Sequence, residues 1–214
     1  MKKVKIIGLV ALVLFAMSCT RKKNEVSSVV EASWPTITLT GSQYYSIPVG
    51  GTLPTVSATA YDSLLKESYS TELDASGLDN STPGLYIVPV KAKNKNGYIS
   101  SKSVLIAVTD IDTSANLSGE YVRTATGVSL MVNKLANGLY ETDNLFGAGT
   151  TAETYAYFAQ IDDSTIVIPD QETNAGFLSV SDVFLTQLPG DTSYGYKIVS
   201  NMTSNRTLRI FQKQ

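Results

Sequence analysis

From Gly84 to Asp110 the chain reads GLYIVPVKAKNKNGYISSKSVLIAVTD. Tyr86, Val88, Val90 and Ala92 alternate with Ile87, Pro89, Lys91 and Lys93. A period of two with one face ending in lysines belongs to a half-buried strand, since successive side chains leave opposite faces of a pleated backbone. Asn94-Lys95-Asn96-Gly97 supplies the reversal, with Gly97 at the position that needs positive φ. Val104, Ile106 and Val108 repeat the alternation on the way back. Pro89 lacks an N–H, so it points to an edge strand or a bulge. Shorter segments of the same kind precede it: Thr36 to Thr40, Tyr44 to Val49 and Thr55 to Tyr61, separated by Gly41-Ser42 and Gly50-Gly51.

The same pattern restarts after Asp110-Ile111-Asp112-Thr113-Ser114. Strands are expected over Gly119 to Arg123, Val128 to Leu135, Leu139 to Asp143, Thr154 to Ile161, Thr165 to Ile168, Phe177 to Leu188 with an interruption, Tyr196 to Ser200 and Thr207 to Gln212. Asn137-Gly138 is a strong two-residue hairpin signal. About eight strands in roughly 100 residues, none with helical periodicity, predict an antiparallel meander closing into a barrel or a sandwich. The whole is all-β, with a first domain over 34–110 and a second over 111–214.

Composition removes several kinds of chemistry. Histidine is absent from all 214 residues. That removes the usual general base, the Ser-His-Asp and Cys-His arrangements and the commonest zinc ligand. Asp110 and Asp112 are too few for Ca²⁺, which wants six to eight oxygens, and read as turn formers in a solvated linker. Asp162-Asp163 and the Asp170/Glu172 pair read as turns; a glycosidase would need two carboxylates on facing elements. Gly147-Ala148-Gly149 lacks the strand-Gly-helix context and the lysine of a phosphate loop. No catalytic residue, metal or cofactor is assigned, and the chain is not expected to be an enzyme.

The first nineteen residues, MKKVKIIGLVALVLFAMSC, decide the location. Lys2, Lys3 and Lys5 precede an apolar run from Ile6 to Met17, too short for a bilayer core that needs about 20 residues. Small Ser18 then precedes Cys19, the single cysteine. This resembles a bacterial lipoprotein signal peptide (1–18), which implies lipidation of Cys19 and cleavage before it. A mature chain would then carry 14 basic against 19 acidic residues, because three lysines leave with the signal. That acidic balance argues against nucleic acid as a partner. Residues 19–33 are polar and aperiodic and read as a flexible tether. Surface-exported lipoproteins of gut bacteria often carry an acidic run after the cysteine; here Arg21, Lys22 and Lys23 stand there, so the leaflet stays open.

Gly84, Tyr86, Val88, Ala92, Asn94, Gly97, Val104, Ile106 and Val108 match the C-terminal hairpin of bacterial immunoglobulin-like modules, with Val90 in place of the second aromatic. Leu117 to Arg123 (L-S-G-x-Y-x-R), the V-x-L-x-V strand from Val128 to Val132 and NGLYETDN resemble the C-terminal β-domain of accessory lipoproteins from gut-bacterial (Bacteroidota-type) polysaccharide-utilisation systems. Lipocalin-like domains share the S-G-x-Y start. The resemblance implies a non-catalytic outer-membrane lipoprotein that binds glycan or assembles with outer-membrane transport proteins. The alternatives are a structural or adhesin-like lipoprotein binding a partner protein and a lipocalin-like carrier of an apolar ligand. Most of the aromatics Tyr155, Tyr157, Phe158, Phe177 and Phe184 are expected in the core. A glycan site is expected on loops of the second domain, with Phe146 in the Gly-rich loop and Tyr194 and Tyr196 beside a turn, and Asp191 as hydrogen-bonding partner.

Overall fold

The computed structural model describes residues 32–149, 153–204 and 206–214. The segment expected to be a signal peptide, Cys19 and the expected tether up to residue 31 lie outside the described residues.

Two sheets form the first half. One holds β1 (Thr36–Leu39), β3 (Ala58–Asp62) and β4 (Glu67–Tyr69) in the order β1-β3-β4. The other holds β2 (Tyr44–Ile47), β5 (Thr71–Leu73), β6 (Gly84–Lys93) and β7 (Ile99–Val108) in the order β2-β7-β6-β5. β2 pairs with β7 in parallel, and every other pairing is antiparallel. Val88, Val90 and Ala92 of β6, Val104, Ile106 and Val108 of β7 and Ile47 of β2 face Ile37 and Ala60 of the other sheet to make an aliphatic core. Gly97 sits at φ +90° in the turn between β6 and β7.

Pro89 is in an interior strand, which departs from the edge position expected of it. β5 ends at Leu73, opposite Val90, so the ladder stops one residue short of Pro89. The Asp74 N–H donates to the Pro89 carbonyl at 2.9 Å, which places the polar groups of Pro89 on the β5 side and away from β7. The missing N–H therefore costs no bond in the β6–β7 ladder.

The second half is a nearly closed barrel. Its strands are β8 (Gly119–Arg123), β9 (Ser129–Ala136), β10 (Leu139–Thr142), β11 (Ala156–Gln160), β12 (Ile166–Val167), β15 (Val180–Leu188), β16 (Asp191–Ile198) and β17 (Arg209–Lys213). The order is β12-β11-β10-β9-β8-β17-β16-β15, all antiparallel. A separate hairpin, β13 (Gln171–Thr173) with β14 (Gly176–Leu178), fills the connection between β12 and β15. At the seam the buried Gln160 donates through Nε2 to Gln187 Oε1 at 3.0 Å, joining β11 to β15 where no ladder does. The chain is thus all-β, as the period-two pattern predicts.

The lumen is packed solid. Tyr121, Tyr140, Phe158, Tyr194, Tyr196 and Phe211 are each at most 2% exposed. Their rings meet at 5.0–6.4 Å around Tyr194, stacked on Phe158, Tyr196 and Phe211 and edge-on to Tyr121. Three of these four buried phenols are hydrogen-bonded, as buried polar groups usually are, and Tyr194 is the exception among the described residues. The Tyr121 hydroxyl donates to Leu117 O (2.8 Å), the Tyr196 hydroxyl to Leu145 O (2.5 Å), and Tyr140 accepts from Leu117 N (3.2 Å).

The two halves share a third core. On the outer face of the β6–β7 hairpin, Leu85, Leu105 and Ala107 lie at one end and Lys91, Lys93, Ser101 and Ser103 at the other. The barrel covers the apolar end with Leu139 of β10 and Ala159 of β11. Burying three leucines in this way contributes about 5–9 kcal/mol before chain entropy is counted. Thr109 Oγ1 donates to Gln160 O at 3.0 Å and Asn137 Nδ2 to Ile111 O at 2.9 Å, so polar groups close the same seam. Gly138, at φ +65° in the Asn137-Gly138 turn, fits only as glycine. A Cβ there would stand 2.7 Å from Thr109 Cγ2 and 2.8 Å from Gln160 O.

Candidate functional site

The segment expected as loop and turn before the strand at Tyr196 is itself part of β16, which begins at Asp191, and this corrects the site built on it. Only Pro189-Gly190 turns the chain, with Leu188 opposite Asp191. Tyr194 and Tyr196 are 1% and 2% exposed and belong to the aromatic core, so neither ring offers a face to a sugar. Burial pushes both phenols upward in pKa, as expected for side chains whose charged form has no water to solvate it. Gly195 between them makes the strand look loop-like in sequence. The physical reason for glycine is close packing: a Cβ would stand 2.4 Å from Arg209 O and 2.5 Å from the ring of Phe184, its cross-strand neighbour. Asp191 is exposed at the opposite end of β16 and accepts from Gln212 Nε2 at 2.7 Å.

Phe146 is half-buried and packs against the barrel core. Its carbonyl accepts from Arg123 Nη1 at 3.1 Å. Arg123 and Arg209 both point inward at this mouth of the barrel and are nearly buried. Burial, and then the charge of Arg123, hold the Arg209 pKa below its ordinary value. The structure therefore does not bring the four predicted residues together. Tyr194 and Tyr196 are core, Phe146 covers one mouth, and Asp191 lies beyond the other end of β16.

A different aromatic is open to solvent. Phe177, expected with the core aromatics, is 49% exposed, whereas Phe158 is buried and Tyr155, Tyr157 and Phe184 are half-buried. β14 sends Leu178 into the barrel core at 0% exposure, so its neighbour Phe177 must face out. Phe177 is paired across the hairpin with Glu172, which shares its face. With Ala175, Gly176, Ser200, Asn201 and Met202 it lines a cleft of about 340 Å³.

Side-chain amides hold this hairpin in place. Gln171 receives the Tyr157 N–H at 2.8 Å and donates to the Tyr157 carbonyl at 2.9 Å, standing in for a strand neighbour of β11. Asn174 does the same for the end of the preceding loop, accepting from Tyr155 N (3.1 Å) and donating to Glu153 O (2.6 Å). On the other wall, Val199 N donates to Ser179 O at 2.9 Å. The Ser200 hydroxyl is buried in that wall with no hydrogen-bond partner among the described residues. An exposed ring beside the exposed Asn201 amide can bind a neutral polyhydroxylated ligand: the ring takes the C–H face, and the amide takes hydroxyls.

Asp112 and Asp162 act as turn formers, accepting from Ser114 N (2.7 Å) and Ser164 N (2.8 Å) two residues on. Asp110, expected as a turn former, instead accepts from Val49 N (2.9 Å), tying the end of β7 to the segment after β2. Among the described residues no group of three or more potential ligands could hold a metal ion.

Sequence reasoning missed both Phe177 and the shared core. For the shared core a signal existed: alternation gives way to an unbroken apolar run at Val104 to Val108, the mark of a strand buried on both faces. For Phe177 it did not, because the strict alternation around it is equally that of a barrel stave.

No protein-family profile matches the chain, and no curated protein matches it. Among solved structures it is similar to a lipoprotein from Bacteroides thetaiotaomicron. The two are 18% identical with a TM-score of 0.37, and the match covers 84% of this chain and 100% of that one.

Proposed function

We propose that this chain is a lipid-anchored, non-catalytic envelope protein that binds a saccharide at the Phe177 cleft. Cys19 at the end of its short apolar run supports the anchor, and an outer-membrane position follows from the same resemblance. The parallel pairing of β2 with β7 beside an antiparallel β6–β7 hairpin supports an immunoglobulin-like reading of the first half. That half serves as a spacer. The observation that carries the binding role is the exposed Phe177 ring over a cleft walled by Ser200 and Asn201. The carrier reading loses ground, because six aromatic side chains fill the lumen in which an apolar ligand would sit.

A glycan array with the wild-type chain and with Phe177→Ala tests this. Phe177 is half exposed, so its loss leaves the melting temperature nearly unchanged while abolishing the signal. Asn201→Ala weakens the same glycans. Wild-type silence on a broad array, or undiminished binding by a folded Phe177→Ala protein, rejects the site.

A further inference from the structure

The end of the sandwich where the chain arrives from the N-terminus carries a second feature. Ser33 is fastened there: its hydroxyl donates to Asp62 Oδ2 at 2.8 Å and its carbonyl accepts from Asn94 Nδ2 at 2.8 Å. Asp62 is fully buried and also accepts from Asn94 Nδ2 (2.9 Å) and from the backbone of Leu64 and Leu65. Asn94 in turn takes the N–H groups of Asn96 and Tyr98, each at 3.0 Å. One buried network thus ties together the arriving chain, the β3–β4 turn and the β6–β7 turn. Around it apolar side chains face solvent. Trp34, 54% exposed, lies 4.9 Å from Tyr98 ring to ring; Leu64 is 47% and Ile99 53% exposed. Lys66, Lys93 and Lys95 are exposed on the same end.

A rigid, buried network displaying exposed Trp, Leu and Ile needs an explanation, since single exposed apolar residues are ordinary but a cluster is not. We infer that this end of the sandwich docks on the bilayer surface, with Trp34, Leu64 and Ile99 inserted at the headgroup level and the three lysines meeting anionic lipid. The inference rests on the Cys19 anchor of the proposed function. What singles out lipid as the occupant is chain geometry. Only 13 peptide units separate Cys19 from Ala32. In any conformation they span at most about 45 Å, so an acylated Cys19 keeps this end close to the membrane. The chemistry agrees. Tryptophan and tyrosine favour the interface, where an apolar ring body and a polar edge are both satisfied. Lysine stems reach to the headgroups from the same level. Glu67 is the ion-pair partner of Lys95, and the buried Asp62 carboxylate offsets a second lysine, so the three lysines leave this end a single surplus positive charge, carried by exposed side chains while Asp62 lies beneath the surface. Docking would orient the molecule, with β7 running away from the membrane towards the linker and the barrel.

Trp34 is the only tryptophan in the chain, so its fluorescence reports on this end alone. The full chain, purified from membranes, is reconstituted in phosphatidylethanolamine/phosphatidylglycerol vesicles. Intact mass and flotation are measured first. The expected result is an acylated protein that floats, with Trp34 emission shifted to the blue, shielded from acrylamide and quenched by lipids brominated on the acyl chain. Leu64→Ser/Ile99→Ser should still float, while losing most of the brominated-lipid quenching. A protein that carries the acyl mass and floats, yet keeps Trp34 open to acrylamide and unquenched by brominated lipid, overturns docking and leaves the anchor intact. Absence of the acyl mass together with failure to float overturns the anchor and docking with it. A blue shift that follows protein concentration in lipid-free detergent assigns the surface to a second copy of the chain and rejects the bilayer.

Discussion

The sandwich and the barrel solve the same problem with different side chains. Between the two sheets of the sandwich, Ile37, Ile47, Val88, Val104, Ile106 and Val108 fill a thin slab with β-branched groups. Inside the barrel, Tyr121, Tyr140, Phe158, Tyr194, Tyr196 and Phe211 fill a wide cylinder with rings. The difference follows from shape. Facing sheets lie about 10 Å apart, and interdigitated Val and Ile fill that gap. An eight-stranded barrel encloses a space that aliphatic side chains fill poorly and stacked aromatics fill well. The choice has a consequence: rings bring hydroxyls, so the barrel core must also carry hydrogen bonds to Leu117 and Leu145, which the sandwich core does without.

The largest test of this contrast is a cavity. Phe158 stacks on Tyr140 and on Tyr194, each at 5.4 Å. Phe158→Ala should cost about 3–5 kcal/mol in urea unfolding, whereas Ile106→Val in the sandwich should cost about 1 kcal/mol. Equal losses would erase the distinction between a ring-filled and a slab-filled core. The second test concerns the shared core. Gly138→Ala forces a methyl group against Thr109 and Gln160 at a positive φ, and should destabilise by about 2 kcal/mol. Calorimetry should then resolve two transitions where the wild type shows one. A single transition in both proteins would mean that the junction survives the clash.

Acid separates the halves more gently. In the sandwich, burial works against the Asp62 carboxylate, but hydrogen bonds from Asn94, Leu65, Ser33 and Leu64 outweigh it and hold its pKa below the usual range. Its ion-pairing hydrogen bond from Lys91 brings Asp74 to about 2. A depressed folded-state pKa contributes stability that is complete above the unfolded value near 4 and is lost as pH falls through the folded value. In the barrel, Glu141 runs the other way: burial raises its pKa, ahead of the opposing hydrogen bonds from Tyr157 and Asn133. Its charged form is the costly one, so its unfavourable contribution grows as pH rises above the unfolded value. Melting temperature should therefore fall between about pH 4 and pH 2, less steeply in Asp62→Asn. Glu141→Gln should melt slightly higher than wild type at pH 7 and no higher at pH 3. An unchanged acid slope in Asp62→Asn would remove Asp62 from the account.

Much of this fold can be read from local pattern. Alternation, Asn137-Gly138 and Asn94 to Gly97 mark the strands and turns, because pleat period and positive φ are properties of a few adjacent residues. What escaped reading depends on distant partners. Gly195 and the Asp191-Thr192-Ser193 start made β16 resemble a loop, while the need for Gly195 comes from Phe184 and the Arg209 carbonyl across the sheet. Leu105 and Ala107 are the neglected phase of a strand whose second face is covered only because Leu139 and Ala159 arrive from the other half. Phe177 alternates like a core residue, yet its hairpin stands outside the eight-stranded sheet. The candidate site was illegible for that reason: alternation says that two faces differ and leaves open which one meets water.

The parallel pairing of β2 with β7 has a mechanical side. The chain enters the sandwich at Ser33 and β1, passes next into β2, and leaves for the barrel directly after β7. A pull on the two ends of this half would load the Ser33 bonds and the β1–β3 ladder first, and with these opened would draw β2 and β7 in opposite directions along their common axis. Tyr44 to Ile47 would slide against Leu105 to Val108, with the bonds from Leu105 N to Gln43 O and from Thr109 N to Ile47 O strained together. Bonds stretched side by side share tension, whereas those of an antiparallel hairpin opened from its end break one at a time. Four paired residues loaded in shear therefore resist more force than the same four bonds opened from one end.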